Sequence, residues 1–285
     1  MDLTIVIVNW RTKDYLRACL ESVRAHPPAR EFEIIVVDNG SADGSAEMVR
    51  ESFDGVTLIE NAENIGYAEG NNQGMRESRG EYILLLNPDT EVKPGALDAL
   101  LKFARAHPDA AAVGCRLMGT DGKVQRSCRS FPYPLGVLFE YTKLSRLFPR
   151  SRFFGAYRMT YFDYAHEAEV DQPMGSCLLI SRRAVEDVGM FDKDFPIFFN
   201  DVDWCYRAKQ TGWKVYFTPD AEVVHHGAAG TRQAKPEMVA ESHRALRKFY
   251  EKHYRRRLPG PVYRLVMLSI SINSFFASRL KSIGR

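Results

Sequence analysis

The chain opens on short apolar runs separated by amphipathic stretches. Leu3–Val8 (LTIVIV), Phe32–Val37 (FEIIVV), Val56–Ile59, Tyr82–Leu86 and Ala111–Leu117 read as strands. The run at 81–86 shows no polar alternation, which suits a central strand covered on both faces. Helical spacing fills the gaps. Leu16, Cys19, Leu20 and Val23 mark a helix over Tyr15–Val23. Others are expected at Ala46–Ser52, Ala68–Arg79 and Pro94–His107, with Pro94 in a first turn. Strand and helix alternate, which predicts an α/β fold: a doubly wound, mostly parallel sheet with right-handed crossovers. Residues 120–170 are irregular and rich in aromatics, Arg and Pro, and predict long loops with helix around Leu135–Phe148. Regular structure resumes from Gln172–Ser181 to His226, and Pro236–Arg257 reads as a long basic helix.

Four polar clusters sit where these strands end: Asn9-Trp10-Arg11, Asp38–Ser45, Asn61–Asn72 and Asn87-Pro88-Asp89-Thr90. Each alone suits a plain turn. In a parallel sheet they converge on the carboxyl edge, where ligands of open α/β sheets bind. Their Asn, Asp and Gly content suits a nucleotide, with glycines allowing close backbone approach. Neither GxGxxG nor GxxxxGK[ST] is present, so a diphosphate here needs another counter-charge. A divalent metal on Asp89 is the natural candidate, since hard cations take carboxylate and phosphate oxygens together.

Two further clusters complete the set. A helix starting near Asp201 places Asp201, Trp204, Cys205 and Ala208 on one face, with the carboxylate at its N-terminal end. Asp201 then suits an N-cap, a general base, or both. Asp203 falls on another face, four residues before Arg207, as for a structural or surface ion pair. Val223-Val224-His225-His226 ends an apolar strand. Adjacent histidines there point to opposite faces, so at most one would join Asp89 on a metal.

Composition changes the picture little. The 285 residues carry a net charge of +3, which gives no reason to propose nucleic-acid binding. Five scattered cysteines without a CxxC pair fit a reducing cytoplasm, and MDLTIVIVNW enters a strand with no signal-peptide leader. The tail from Arg255 to Arg285 is different. Its fourteen uncharged residues between Arg264 and Arg279 include four serines and an asparagine. That is short and polar for a spanning helix but suits one lying at a membrane surface. The competing expectation is a helix docked on the core or on a second copy in a homodimer.

Together the clusters resemble a family 2 glycosyltransferase of the GT-A fold, in the rhamnosyltransferase-like branch that builds bacterial surface polysaccharides. The resemblance runs from Leu3 to about His225. It rests on VDNGSADGS (37–45), NIGYAEGNNQG (64–74), LLLNPDT (84–90), GSCLLISRRAVEDVGMFD (175–192), DVDWCYR (201–207) and VVHHG (223–227), in that order. It implies a transferase domain over 1–235, with a nucleotide-binding half (1–118) and an acceptor half (119–235), and a helical tail over 236–285. It also implies that Asp38 binds the base, and that Asn9, Asn64, Gly66, Asn71 and Asn87 line the nucleotide-sugar pocket. Asp89 matches the last carboxylate of the family's DxD motif and holds Mg²⁺ or Mn²⁺ with His225, while Asp201 is the catalytic base. Asn87 replaces the first acid of the motif, and Asn200 stands where an acid often precedes the base. The implied reaction is an inverting transfer from dTDP-rhamnose, with UDP-galactofuranose, UDP-GlcNAc or a UDP-hexose as other donors. The implied acceptor is a saccharide, including one linked to polyprenyl diphosphate. The basic-aromatic stretch Arg126–Arg129, Phe131 and Tyr133 would meet it, with the tail touching the inner face of the cytoplasmic membrane. A binding-only degenerate transferase and a sugar-1-phosphate nucleotidyltransferase are the rival readings.

Overall fold

The computed structural model describes residues 1–227 and 235–279. Its centre is a nine-stranded sheet. Strands β1 (Leu3–Asn9), β2 (Phe32–Asp38), β3 (Val56–Glu60) and β4 (Tyr82–Leu86) run parallel in the order β3-β2-β1-β4. Their connections are the helices α1 (Lys13–Ala25), α2 (Ser45–Ser52) and α3 (Tyr67–Glu77). After β5 (Thr90–Val92) and α4 (Ala96–Ala106) comes β6 (Ala110–Met118). The helix at 94–107 begins two residues later than the sequence suggests. Gly95, at φ +75°, occupies the cap position and Pro94 precedes it.

The segment after residue 119 is partly ordered into regular elements: β7 (Cys128–Arg129), α5 (Pro134–Tyr141), α6 (Leu144–Leu147), β8 (Ala168–Glu169) and β9 (Gln172–Pro173). Then β10 (Cys177–Ser181) inserts antiparallel between β4 and β6. After α7 (Arg182–Val188) and α8 (Asn200–Gln210), β11 (Lys214–His225) runs parallel to β6 and antiparallel to β5. The sheet is therefore shared between 1–118 and 119–235.

Burial follows the apolar runs. Every residue of β4 is buried, as a central strand requires. Gly70 and Gly74 let α3 lie against β1: a Cβ would come within 2.8 Å of Val8 and 2.3 Å of Val6. These two glycines serve helix–sheet packing rather than approach to a ligand.

Helices α9 (Lys235–His253) and α10 (Gly260–Arg279) complete the chain. Phe249, Tyr250, Tyr254, Val266 and Ile270 join the same core as Val6, Leu178 and Trp204. The described part of the tail is thus docked on the core. Residues 228–234 and 280–285, which flank or end the expected tail, lie outside the described residues.

Asp203 forms the expected pair with Arg207, and of the two settings expected it is the structural one. Its side chain is fully buried and accepts from Arg207 Nε at 2.8 Å, Lys252 Nζ at 2.7 Å and His253 Nε2 at 2.7 Å. It ties α8 to α9. Burial raises its pKa, but the His253, Lys252 and Arg207 contacts outweigh burial and hold it below 3.8. Its stabilising contribution is present above the unfolded value and is lost as pH falls through the folded value. Asp203→Ala removes the buried carboxylate shared by Arg207, Lys252 and His253 and is expected to cost about 1.5–3 kcal/mol, measured by urea unfolding at neutral pH.

Candidate active site

The ends of β1 and β2 are in register, with Asn9 opposite Asp38 and Asp38 opposite Glu60 on β3. Asp38 is buried at 5% exposure. Its Oδ1 accepts from Asn9 Nδ2 at 2.8 Å and Ser41 Oγ at 2.6 Å, and Oδ2 accepts the Ser41 N–H at 3.0 Å. Asn9 Nδ2 also donates to Ser41 Oγ at 3.0 Å, and its Oδ1 accepts from Thr12. Asn9 is fully buried and spent on these bonds, so as arranged it reaches a ligand only through Asp38.

The third cluster forms a braced loop. Asn64 Oδ1 accepts the Gly66 N–H at 2.9 Å, and Asn39 Nδ2 donates to the Gly66 carbonyl at 3.1 Å. Gly66 has φ +90°, and a Cβ there would come within 3.1 Å of the Pro196 carbonyl. Asn71 Nδ2 donates to the Tyr67 carbonyl, while Asn71 Oδ1 is buried without a hydrogen-bond partner. Asn87 Oδ1 is likewise buried and unpartnered. Orphaned acceptors of this kind call for a donor from ligand or water.

Asp89 follows β4 and is 5% exposed. The His226 N–H donates to the Asp89 carbonyl, fastening the end of β11 over it. His225 Nε2 lies 3.6 Å from Asp89 Oδ1, whereas His226 pairs with Glu91 at 2.6 Å and packs against Tyr15. The adjacent histidines thus face different partners, as strand alternation requires. Gln125 Nε2 donates to the His225 carbonyl at 2.7 Å, which turns its Oε1 toward His225 Nδ1 at 2.8 Å. An amide oxygen only accepts, so Nδ1 carries the proton and Nε2 presents a lone pair toward Asp89. Burial lowers the His225 pKa, against the opposing charge of Asp89.

Asp201 lies in the first turn of α8. The cap position belongs to Phe199, at φ +69°. Asp201 Oδ1 accepts the Val202 N–H at 2.8 Å and Oδ2 the Gly175 N–H at 2.9 Å. Burial raises its pKa above 3.8, while these N–H groups and the charge on Arg129 pull it down. Trp204, Cys205 and Ala208 on the same helix are fully buried, as their spacing predicts.

Tyr67 senses the charge of both carboxylates. Its hydroxyl donates to the Gly175 carbonyl at 3.1 Å. Burial raises its pKa, and the charges of Asp201 and Asp89 both push the same way. Asp89 and Asp201 therefore both lie within electrostatic reach of one hydroxyl. The convergence follows from the sheet: Asn87 N–H donates to the Ser176 carbonyl, so the residues preceding β10 run beside the end of β4.

Residues 4–168, more than half of the chain, match the family model described as glycosyl transferase family 2. The chain belongs to glycosyl transferase family 2. It is 30% identical over 255 residues to N-acetylglucosaminyl-diphospho-decaprenol L-rhamnosyltransferase of Mycobacterium tuberculosis, covering 85% of this chain and 82% of that protein. It is 26% identical over 230 residues to the low-salt glycan biosynthesis hexosyltransferase Agl10 of Haloferax volcanii, covering 79% and 67%. In fold it is similar to a mannosyltransferase of Pyrobaculum calidifontis solved with GDP-Man and Mn²⁺, with a TM-score of 0.63, 18% identity, and coverage of 97% and 71%. TarS 1-349 of S. aureus solved with UDP-GlcNAc gives 0.60, 14%, 97% and 73%. These neighbours establish the GT-A fold.

The donor set of this family 2 transferase fits a metal shared with substrate. No group of three or more His, Cys, Asp or Glu forms a metal site among the described residues. Asp89 and the His225 lone pair could supply two ligands, and the orphaned Asn87 Oδ1 lies in the same motif. Mg²⁺ and Mn²⁺ commonly combine a few protein ligands with phosphate oxygens and water.

Gly175, Tyr67 and Gln125 escaped the sequence reading as functional residues. Gly175 precedes Asp201 by 26 residues and Gln125 precedes His225 by 100, so no local spacing marks them. A Cβ on Gly175 would stand 3.1 Å from Asp201 Oδ2. Gly175→Ala is expected to lower kcat about tenfold or more by displacing that carboxylate, with an unchanged thermal midpoint. Steady-state kinetics and a melt on the same preparation check it.

Proposed function

We propose that this transferase moves rhamnose from dTDP-rhamnose to a polyprenyl-diphosphate-linked saccharide in bacterial cell-surface polysaccharide synthesis, with inversion at the anomeric carbon. The observation that carries the reaction class is the convergence of Asp89–His225 and Asp201 around Tyr67 and Gly175. The sugar and acceptor rest on the named activity of the mycobacterial relative.

Asp201 is the general base. Each of its oxygens accepts one backbone N–H, which fixes the carboxylate while leaving lone pairs for an acceptor hydroxyl. Burial makes it a stronger base than an ordinary aspartate. As the acceptor oxygen bonds to the anomeric carbon, the bond from that carbon to the diphosphate oxygen breaks, and the hydroxyl proton passes to Asp201. Asp89 and His225 would hold a divalent cation, with the Asn87 amide oxygen within the same motif. Bound there, the ion neutralises charge growing on the departing diphosphate. Asp38 takes the base or ribose, held in place by Asn9 and Ser41. Asn64, Gly66 and Asn71 shape the wall beside the sugar.

The lipid-linked acceptor of the relative supports placing the protein at the inner face of the cytoplasmic membrane. Among the described residues, no helix is long and apolar enough to cross a membrane, so the contact proposed is peripheral.

The test is a transfer assay with dTDP-rhamnose, UDP-galactofuranose, UDP-GlcNAc and UDP-hexoses, using a GlcNAc-diphosphate-lipid acceptor with Mn²⁺ or Mg²⁺. Product with inverted anomeric configuration by NMR, formed from dTDP-rhamnose, is expected. Product from a UDP-sugar instead would reassign the donor. Tight donor binding with no product from any donor would favour a binding-only protein.

A further inference from the structure

The segment Pro134–Arg158, which holds α5 and α6 where the sequence predicts helix, has an unusual surface. Leu135, Leu147, Phe148 and Phe153 are 55%, 70%, 50% and 59% exposed. Between them stand Lys143, Arg146, Arg150 and Arg152, all exposed. The one acid of the stretch, Glu140, is tied to Arg158 at 2.6 Å. Lys143, Arg146 and Arg150 make no ion pair among the described residues. Five cations against one acid exceed the whole chain's net charge of +3, so the basic excess of the protein is concentrated here.

Helix α10 packs on α5 and adds a second apolar strip. Its inner face places Tyr263, Val266, Met267 and Ile270 on the core. Val262, Leu265, Leu268 and Ile272 lie on the opposite face and are 39–59% exposed. A helix apolar on both sides normally has something apolar against both.

We propose that Pro134–Arg158 and the outer face of α10 form one bilayer-docking surface that engages anionic lipid headgroups. Cations among exposed aromatic and leucine side chains are the chemistry of a peripheral membrane contact: apolar groups enter the interface while Lys and Arg meet lipid charge. A second copy of the chain fits this surface poorly. A two-fold contact would set the same cations against each other. The surface also borders the candidate site. Tyr157 accepts the Ser130 N–H at 3.0 Å, and the charge on neighbouring Arg129 reaches Asp201. Docking by this face brings the bilayer to the side of the molecule that holds the base.

The inference is independent of donor and acceptor, and its test uses neither, so its failure would leave the transferase reading standing. The full chain is sedimented with vesicles of phosphatidylcholine alone or with added phosphatidylglycerol. Wild type is expected to pellet with the anionic vesicles, weakly with the neutral ones, and to be released by salt. Arg146→Glu/Arg150→Glu should weaken binding by about tenfold or more, given the contribution of each cation near an anionic surface. Lys93→Glu/Lys102→Glu, the same charge change elsewhere, should bind nearly as wild type. Leu147→Ser, at a highly exposed position that does not threaten folding, should also weaken binding. Thermal melts of each variant show that it is folded. A wild type that stays in the supernatant, equal binding to neutral vesicles, or an Arg146/Arg150 variant that pellets like wild type would overturn the proposal.

Discussion

Asparagine at position 201 is expected to lower kcat by about 10²–10⁴-fold while leaving donor affinity unchanged. The carboxylate is the only part of Asp201 that takes a proton, and asparagine keeps the side chain's size, although its single oxygen can accept only one of the N–H groups of Gly175 and Val202. A second consequence separates this role from a structural one. Because burial raises the Asp201 pKa, the folded protein binds a proton more readily there than the unfolded chain. Its charged form therefore opposes folding: stability falls as pH rises from the unfolded value through the raised folded value, and the penalty is complete above it. Asparagine carries no such penalty. That relief offsets the one N–H bond the amide gives up, so the variant should melt within a few degrees of wild type at neutral pH, unlike Asp203→Ala. In wild type the same raised pKa sets the acid limb of the kcat/KM profile, which should rise with pH through a value above 3.8 and be absent from the residual activity of the variant. An unaltered acid limb would argue against Asp201 as the base.

Asp89→Asn is the second large effect. The substitution removes the carboxylate that faces the His225 lone pair and leaves two neutral ligands where a cation needs charge. Metal-dependent donor binding should weaken by more than about 100-fold, beyond the 10–100-fold typical of residues that only orient ligands. Binding in the absence of metal should not change. Titration calorimetry with the nucleoside diphosphate, with and without Mn²⁺, measures both. His225→Ala should show the same pattern to a smaller degree, and His226→Ala should not, because His226 is turned to Glu91.

Much of this architecture is legible in the chain, for physical reasons that can be traced residue by residue. The uninterrupted run 82–86 announces a strand covered on both faces, and every residue of it is buried. The rhythm of β1 to β4 gives a parallel edge, and with it the expectation that Asp38 and Asp89 share that edge. Spacing on α8 places Asp201 above Trp204 and Cys205 correctly. What is not legible depends on distant partners. The insertion of β10 between β4 and β6 pairs residues from about 65 to about 100 apart, and nothing near Cys177 states its neighbours. That insertion brings Gly175 to Asp201 and hence Asp201 to the end of β4. For Asp203 the spacing gives the pair with Arg207, but helical periodicity does not show that α9 covers it with Lys252 and His253. Gly70 lies in a cluster whose glycines suggest close approach to a ligand, whereas its packing on Val8 explains it.

The most direct measurement of the central claim is a thermal-shift panel of the wild-type chain against dTDP, UDP, GDP, their sugar conjugates, ATP and NAD, each with and without Mn²⁺. A ligand that binds the folded state raises the midpoint as its concentration exceeds its dissociation constant. The site described here predicts a rise with dTDP or UDP compounds that requires the metal and does not appear with ATP or NAD. A folded protein that shifts with none of them, or shifts equally without Mn²⁺, would contradict a metal-dependent nucleotide-sugar site at Asp89.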